Sequence, residues 1–127
     1  MYEYLLIDDD SVINFLHKEL ISIAIPNAII YEFQSSKQAL NWMKQRMQEG
    51  TCPKAIIFLD INMPEMNGFD FLDELKLVAG DHFDLGCKIV MVTSSLNEKD
   101  RERAFSYPYV SNYLEKPLTL EYLSSLS

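Results

Sequence analysis

Two short apolar runs in this chain end on aspartate, and no other feature restricts the fold as tightly. Tyr4-Leu5-Leu6-Ile7 leads straight into Asp8-Asp9-Asp10, and Ala55-Ile56-Ile57-Phe58-Leu59 leads straight into Asp60. Continuous apolar runs of this length read as strands buried on both faces, the pattern of a parallel sheet. In an open parallel sheet the C-terminal strand ends face the ligand crevice. If the two strands are neighbours, three or four carboxylates converge on one small volume. Two such charges about 4 Å apart repel by roughly 4 kcal/mol at an effective dielectric near 20. A fold that tolerates the cluster is expected to hold a hard divalent cation there.

The rest of the chain alternates strand and helix patterns without a repeat, linker or low-complexity segment. Val12, Ile13, Phe15, Leu16, Leu20 and Ile23 form a helical stripe that Pro26 ends. Ala28 to Phe33 reads as a second strand, and Ser35 or Ser36 can cap a helix carrying Ala39, Leu40, Met43 and Met47, with Gly50 as its stop. After Asp60 comes a turn containing Pro64 and Gly68, then a third helix marked by Phe69, Leu72 and Leu75 and stopping near Gly80. Lys88 to Val92 makes a fourth strand ending at Thr93-Ser94-Ser95, and a short polar helix spans Glu98 to Phe105. Val110 to Leu114 is the weakest strand pattern, and Leu118 to Leu126 reads as a last helix. Five βα units with connections this short predict one α/β domain over residues 1–127, a doubly wound parallel sheet with right-handed crossovers.

Charge and composition narrow the function classes. The net charge is -8 and no Lys/Arg-rich block occurs, which argues against direct nucleic-acid binding. No stretch approaches the roughly 18 uninterrupted apolar residues of a membrane span, and the N-terminus lacks a signal-peptide pattern, so a cytoplasmic protein is expected. Cys52 and Cys87 each precede a predicted strand and read as reduced thiols rather than a disulfide. His17, beside Lys18 and Glu19, reads as a surface helix residue, and His82 has no ligand spacing with His17 or the cysteines. Trp42 reads as packing at the edge of the second helix.

Taken in order, the acidic cluster after the first strand, Asp60 within Leu59-Asp60-Ile61-Asn62-Met63-Pro64-Glu65-Met66-Asn67-Gly68, Thr93 after the fourth strand and Lys116-Pro117 after the fifth form one constellation. It resembles the receiver domain of two-component response regulators, from about Tyr4 to Leu126. The resemblance implies a flavodoxin-like (βα)5 fold with sheet order 2-1-3-4-5, which sets the first and third strands side by side. It also implies that Asp60 is a phosphoacceptor, a role a carboxylate can fill as a covalent nucleophile. Seven residues separate Asp60 from Gly68, so a helix-cap role is disfavoured. By the same resemblance Asp8 and Asp9 are an acidic pair holding Mg²⁺, with Mn²⁺ as an alternative, together with Asp60 and the backbone carbonyl of Asn62. Asp10 then enters the first helix near its positive dipole end. With the register shifted by one, Asp9 and Asp10 take the metal roles instead. Lys116, before a cis Lys116-Pro117 bond, matches the lysine that contacts the phosphoryl group. Thr93 matches the switch hydroxyl, Tyr113 the aromatic switch position, and Ser94 a small residue that keeps the phosphorus accessible. Asn62 and Ser95, neither of which carries charge, imply a long-lived phosphorylated state.

The implied function is a phosphoacceptor, not a turnover enzyme. It would take phosphoryl from a sensor histidine kinase or histidine phosphotransfer protein and switch affinity for a downstream protein or for a second copy in a homodimer. Two other readings stay open: a Mg²⁺-dependent aspartate-nucleophile phosphatase, and a degenerate, non-phosphorylated interaction module. The chain departs from the family at Ser106-Tyr107-Pro108-Tyr109-Val110, where a Gly-Ala step is frequent. Tyr107 and Tyr109 read either as binding anchors on the surface of the fourth helix, fifth strand and fifth helix, or as cover for the sheet edge. No output domain follows in the sequence, which suits a stand-alone receiver or one excised from a longer protein.

Overall fold

A computed structural model describes residues 2–50, 54–79 and 86–126. The elements are β1 (Glu3–Ile7), α1 (Ser11–Ala24), β2 (Ile29–Phe33), α2 (Ser36–Gln48), β3 (Ala55–Asp60), α3 (Gly68–Ala79), β4 (Lys88–Thr93), α4 (Glu98–Phe105), β5 (Val110–Glu115) and α5 (Leu120–Ser124). The strands pair in parallel in the order β2-β1-β3-β4-β5, the doubly wound arrangement the apolar runs predict. Every residue of β3 is buried, which is why it reads as an unbroken apolar run ending on a charge.

Residues paired in register share a face of the sheet. Ile7, Leu59, Met91 and Tyr113 form one such row, packed with Leu40, Met43, Phe71 and Leu72 of α2 and α3. The alternate row, with Leu6, Phe58 and Val90, packs with Ile21 of α1 and Leu123 of α5. Full burial of each large apolar side chain contributes about 1.5–3 kcal/mol, so these two layers carry the fold. Helix starts are set by local side chains. Asp10 Oδ1 accepts from the backbone N–H of Val12 (2.9 Å) and Ile13 (3.4 Å), and Ser35 caps α2 through Lys37 and Gln38. Asn67 and Asp70 cap α3 reciprocally, at 2.9 and 3.2 Å. Each cap is worth about 1 kcal/mol.

Three features differ from the sequence expectation. In α1 the face turned inward carries Asn14, His17 and Ile21, whereas Val12, Phe15 and Ile23 are 62–71% exposed. Apolar residues ring this helix, and two buried polar groups with backbone partners choose the face. His17 is thus a buried residue, 3% exposed, not a surface one. The last helix is five residues long, because Thr119 accepts from the N–H of Tyr122 and starts it late. Finally, β5 carries a one-residue bulge: Ile89 pairs with Val110 but Val90 with Asn112. A one-residue slip flips side chains to the other face, so the bulge places Tyr113 opposite Met91 and not opposite Val92.

Trp42 of α2 packs on β2, its ring 4.8 Å from that of Tyr31 and 5.8 Å from that of Phe33, and the Arg46 guanidinium lies 4.7 Å from the centre of the Trp42 ring. Cys87 is half-buried beside the core, while Cys52 and His82 lie outside the described residues, as does the expected helix stop at Gly80.

Candidate functional site

The β1–β3 register, with Ile7 opposite Leu59, sets Asp8 level with Asp60 as the two chains leave the sheet. Asp8 is held on three sides. Its N–H donates to Phe33 O (3.0 Å), its carbonyl accepts from Asn14 Nδ2 (2.9 Å), and its Oδ1 accepts from the Asp10 N–H (2.9 Å). Asp60 is fixed from behind by Gly68, whose N–H donates to Ile61 O at 2.8 Å. A Cβ at Gly68 would stand 2.6 Å from the Asp60 carbonyl oxygen, so the approach of α3 to this strand end requires glycine. Across the sheet, Thr93 pairs with Glu115, and the next residue, Lys116, donates its N–H to Thr93 O at 2.8 Å. The Lys116–Pro117 bond is cis. From there the ammonium reaches 2.6 Å from Asp8 Oδ2 and 3.1 Å from Asp60 Oδ1.

The two carboxylates bridged by Lys116 are buried and Asp9 beside them is exposed, with oxygens of all three within 4.8 Å of one another. Burial, and then the charge of Asp8, push the Asp60 carboxyl up to about 6, against the pull of Lys116. Burial alone would lower Lys116, but its hydrogen bond to Asp8 and the charge of Asp60 outweigh that and leave it above its ordinary value. Three carboxylates against one ammonium leave an excess of negative charge built from hard oxygens. Such a donor set fits Mg²⁺ or Mn²⁺ and not a soft metal. The cluster forms one side of a cleft of about 510 Å³ that Asn62 and Ser94 also line. Asp10 lines it too, but its carboxylate oxygen is engaged in capping α1.

The sequence matches the response regulator receiver domain family over residues 4–126. The chain belongs to that family. This receiver domain is 27% identical over 119 residues to an uncharacterized response regulatory protein of Staphylococcus epidermidis, covering 93% of this chain and 42% of that protein. It is 33% identical over 96 residues to the nitrate/nitrite response regulator protein NarL of Escherichia coli, covering 76% of this chain and 39% of that one. It therefore spans well under half the length of these curated relatives. The crystal structure of a two component response regulator from Cytophaga hutchinsonii is similar with a TM-score of 0.87 at 32% identity, covering 99% of this chain and 93% of that one.

Two further residues expected from the resemblance are held in specific hydrogen bonds. Thr93 is 1% exposed, and its hydroxyl donates to Ser95 O (3.2 Å) while accepting from the Ser95 N–H (3.3 Å). Tyr113, at the position matching the aromatic switch residue, is buried. Its phenol accepts from the Asn97 N–H (3.0 Å) and donates to Asn97 O (3.3 Å). Tyr107 and Tyr109 pack against the core and reach α3, as cover for the sheet would, and Tyr109 also lines a shallow pocket with Val110 and Tyr122. The Tyr107 phenol donates to Asp73 Oδ1 (2.6 Å) and that of Tyr109 to Leu72 O (3.2 Å), with Tyr107 stacked beside Phe69 at 6.4 Å. Sequence reasoning missed Asn14 and His17. The signal available was two polar residues three apart within an otherwise apolar helix face.

Proposed function

We propose that this receiver domain accepts a phosphoryl group from a phosphohistidine onto Asp60, with Mg²⁺ (or Mn²⁺) held by the carboxylates of Asp8, Asp9 and Asp60 and the Asn62 carbonyl. It acts as a signal acceptor, not as a turnover enzyme. The observation that carries this reading is the Lys116 ammonium bridging two buried carboxylates, 2.6 and 3.1 Å away, at the edge of an open cleft. With its carboxyl near 6, Asp60 is mostly ionised at pH 7 to 8 and has the lone pair a nucleophile needs. Phosphoryl transfer depends mainly on positioning and charge neutralisation, which is what Lys116 beside Asp60 supplies. An Asp60 oxygen forms the new bond to phosphorus as the P–N bond of the donor breaks. The bonding pair leaves with the imidazole, which is reprotonated from solvent. A bound divalent ion would supply the remaining neutralisation of the phosphoryl oxygens.

The surroundings of the cleft support a protein donor. Ile13 and Leu16 of α1 line it, and Val12 and Phe15, 71% and 62% exposed, extend an apolar surface outward from its rim. Such a surface suits a protein donor, a sensor histidine kinase or a histidine phosphotransfer protein, better than a free phosphate ester. Among the described residues no helix is long and apolar enough to cross a membrane, and we place the exchange in the cytoplasm. The signal then leaves as altered affinity for a downstream protein or for a second copy of the chain.

Intact-mass measurement after incubation with phosphoramidate and Mg²⁺ tests the reading. One phosphoryl should be gained, lost on adding EDTA before the donor, and absent in Asp60→Asn. Labelling of Asp60→Asn, or undiminished labelling in EDTA, would refute it.

A further inference from the structure

We propose that His17 is a positioning residue for phosphoryl transfer, its imidazole fixing the Leu118 backbone and thereby the reach of Lys116 to Asp8 and Asp60. The proposal rests on the reading of Asp60 as phosphoacceptor. A lysine ammonium sits on a flexible four-carbon stem, so its location is set by how firmly its backbone is held. On one side Lys116 N–H donates to Thr93 O at 2.8 Å. On the other, Pro117 has no N–H to give, and Leu118 is the first residue beyond Lys116 that can be tied by a backbone donor. That donor goes to His17 Nε2 at 3.0 Å, a bond between buried groups 101 residues apart in sequence.

The same helix holds the other side of the cleft. Asn14, three residues before His17 and on the same inward face, donates from Nδ2 to Asp8 O (2.9 Å) and to Phe33 O (3.2 Å). The buried face of α1 therefore braces two segments at once: the chain leaving β1 at Asp8 and the chain leaving β5 after Lys116. These are the segments whose side chains meet at 2.6 Å. An apolar residue at position 17 would occupy the same face but leave the Leu118 N–H without an acceptor. The backbone amide can only donate, so Nε2 carries no proton and the ring proton resides on Nδ1. Burial, and next the nearby Lys116 charge, hold this ring down at about 4, which keeps the acceptor available at neutral pH.

Calorimetric titration of the wild-type chain, His17→Leu and His17→Gln with Mg²⁺ alone, and then with beryllofluoride at saturating Mg²⁺, tests the proposal. Beryllofluoride mimics the phosphoryl group and needs the lysine, whereas the cation needs only the carboxylates. His17→Leu should bind beryllofluoride about tenfold more weakly, the loss expected for a displaced charge-assisted hydrogen bond. Its Mg²⁺ affinity should hold or tighten, because Lys116 repels the cation. His17→Gln, whose amide oxygen can reach the place of Nε2, should recover most of the loss. Equal beryllofluoride affinity in all three proteins would overturn the proposal. So would a proportionate loss of both ligands in His17→Leu, the mark of a purely structural role. A wild-type chain that binds no beryllofluoride in Mg²⁺ would instead overturn the phosphoacceptor reading, and this proposal with it.

Discussion

Acidification should destabilise this receiver domain partly through one ring. His17 is neutral in the native state with a pKa near 4, lowered chiefly by burial and then by Lys116. In the unfolded chain it titrates at about 6.5. Between those values the unfolded state binds a proton that the native state does not, so stability rises with pH across the window and is lost as pH falls through it. From the two pKa values the contribution is negligible at pH 7.5, and at pH 4.5 about 2.5 kcal/mol has been lost. That is a large share of the roughly 5–15 kcal/mol that holds a domain together. Carboxylates also titrate in this range, so the wild-type curve alone does not isolate the ring. His17→Gln shares every other group. Urea unfolding of both proteins at pH 7.5, 6, 5 and 4.5 should show the wild type losing about 2.5 kcal/mol more than His17→Gln over the series. Parallel curves, with a difference that stays flat within about 0.5 kcal/mol, would refute the reasoning.

Two other perturbations address the site directly. Without metal, Asp60 and Asp8 crowd two negative charges around one ammonium, so Asp60→Asn should stabilise the domain in EDTA at pH 8 by about 1–3 kcal/mol. Mg²⁺ should then stabilise the wild type and hardly affect the variant, and a variant less stable than the wild type in EDTA would contradict this. Thr93→Val keeps the volume but removes the hydroxyl that bonds Ser95, and it should abolish any beryllofluoride-induced change in amide exchange over residues 94–97. A response of wild-type size in that variant would show that the signal bypasses Thr93.

How much of this was legible in the sequence follows from what each element buries. β1, β3 and β4 sit inside the sheet, covered on both faces, so they read as unbroken apolar runs with their site residues at the ends. The acidic cluster and Thr93 could be placed because each stands at the end of such a run, whereas Lys116 follows the weak β5 pattern and was placed through the Lys116-Pro117 pair and the family resemblance. The edge of the sheet was harder. β5 has Val110 and Tyr113 as its buried residues, a spacing that fits neither alternation nor a continuous run until the bulge is known. α1 misled for a different reason. Its apolar residues surround the helix, and the inward face is chosen by hydrogen bonds from Asn14 to Asp8 O and Phe33 O and from Leu118 to His17, pairings no local pattern encodes. The contacts of Tyr107 and Tyr109 were not legible because their partners, Asp73 and Leu72, are more than thirty residues away.

The bulge in β5 has a consequence for signalling. By moving Tyr113 into the row of Met91, it lets the phenol reach Asn97, in the same β4–α4 connection whose Ser95 holds Thr93. Two hydroxyls therefore grip residues 95–97 from one side, through four hydrogen bonds to Ser95 and Asn97. The far end of α4 is tied differently, by Tyr107 to Asp73 and by Arg103 over the Phe69 ring at 4.2 Å. Under the function proposed here, the segment free to respond is the N-terminal approach to α4, while its C-terminal end stays with α3. The magnitudes suit a switch. Releasing the Thr93–Ser95 bonds costs about 1–2 kcal/mol, and a bond from Thr93 to a charged phosphoryl oxygen returns about 1.5–3 kcal/mol. Terms so nearly matched leave neither arrangement overwhelmingly favoured, and a difference of about 1.4 kcal/mol already shifts the populations tenfold.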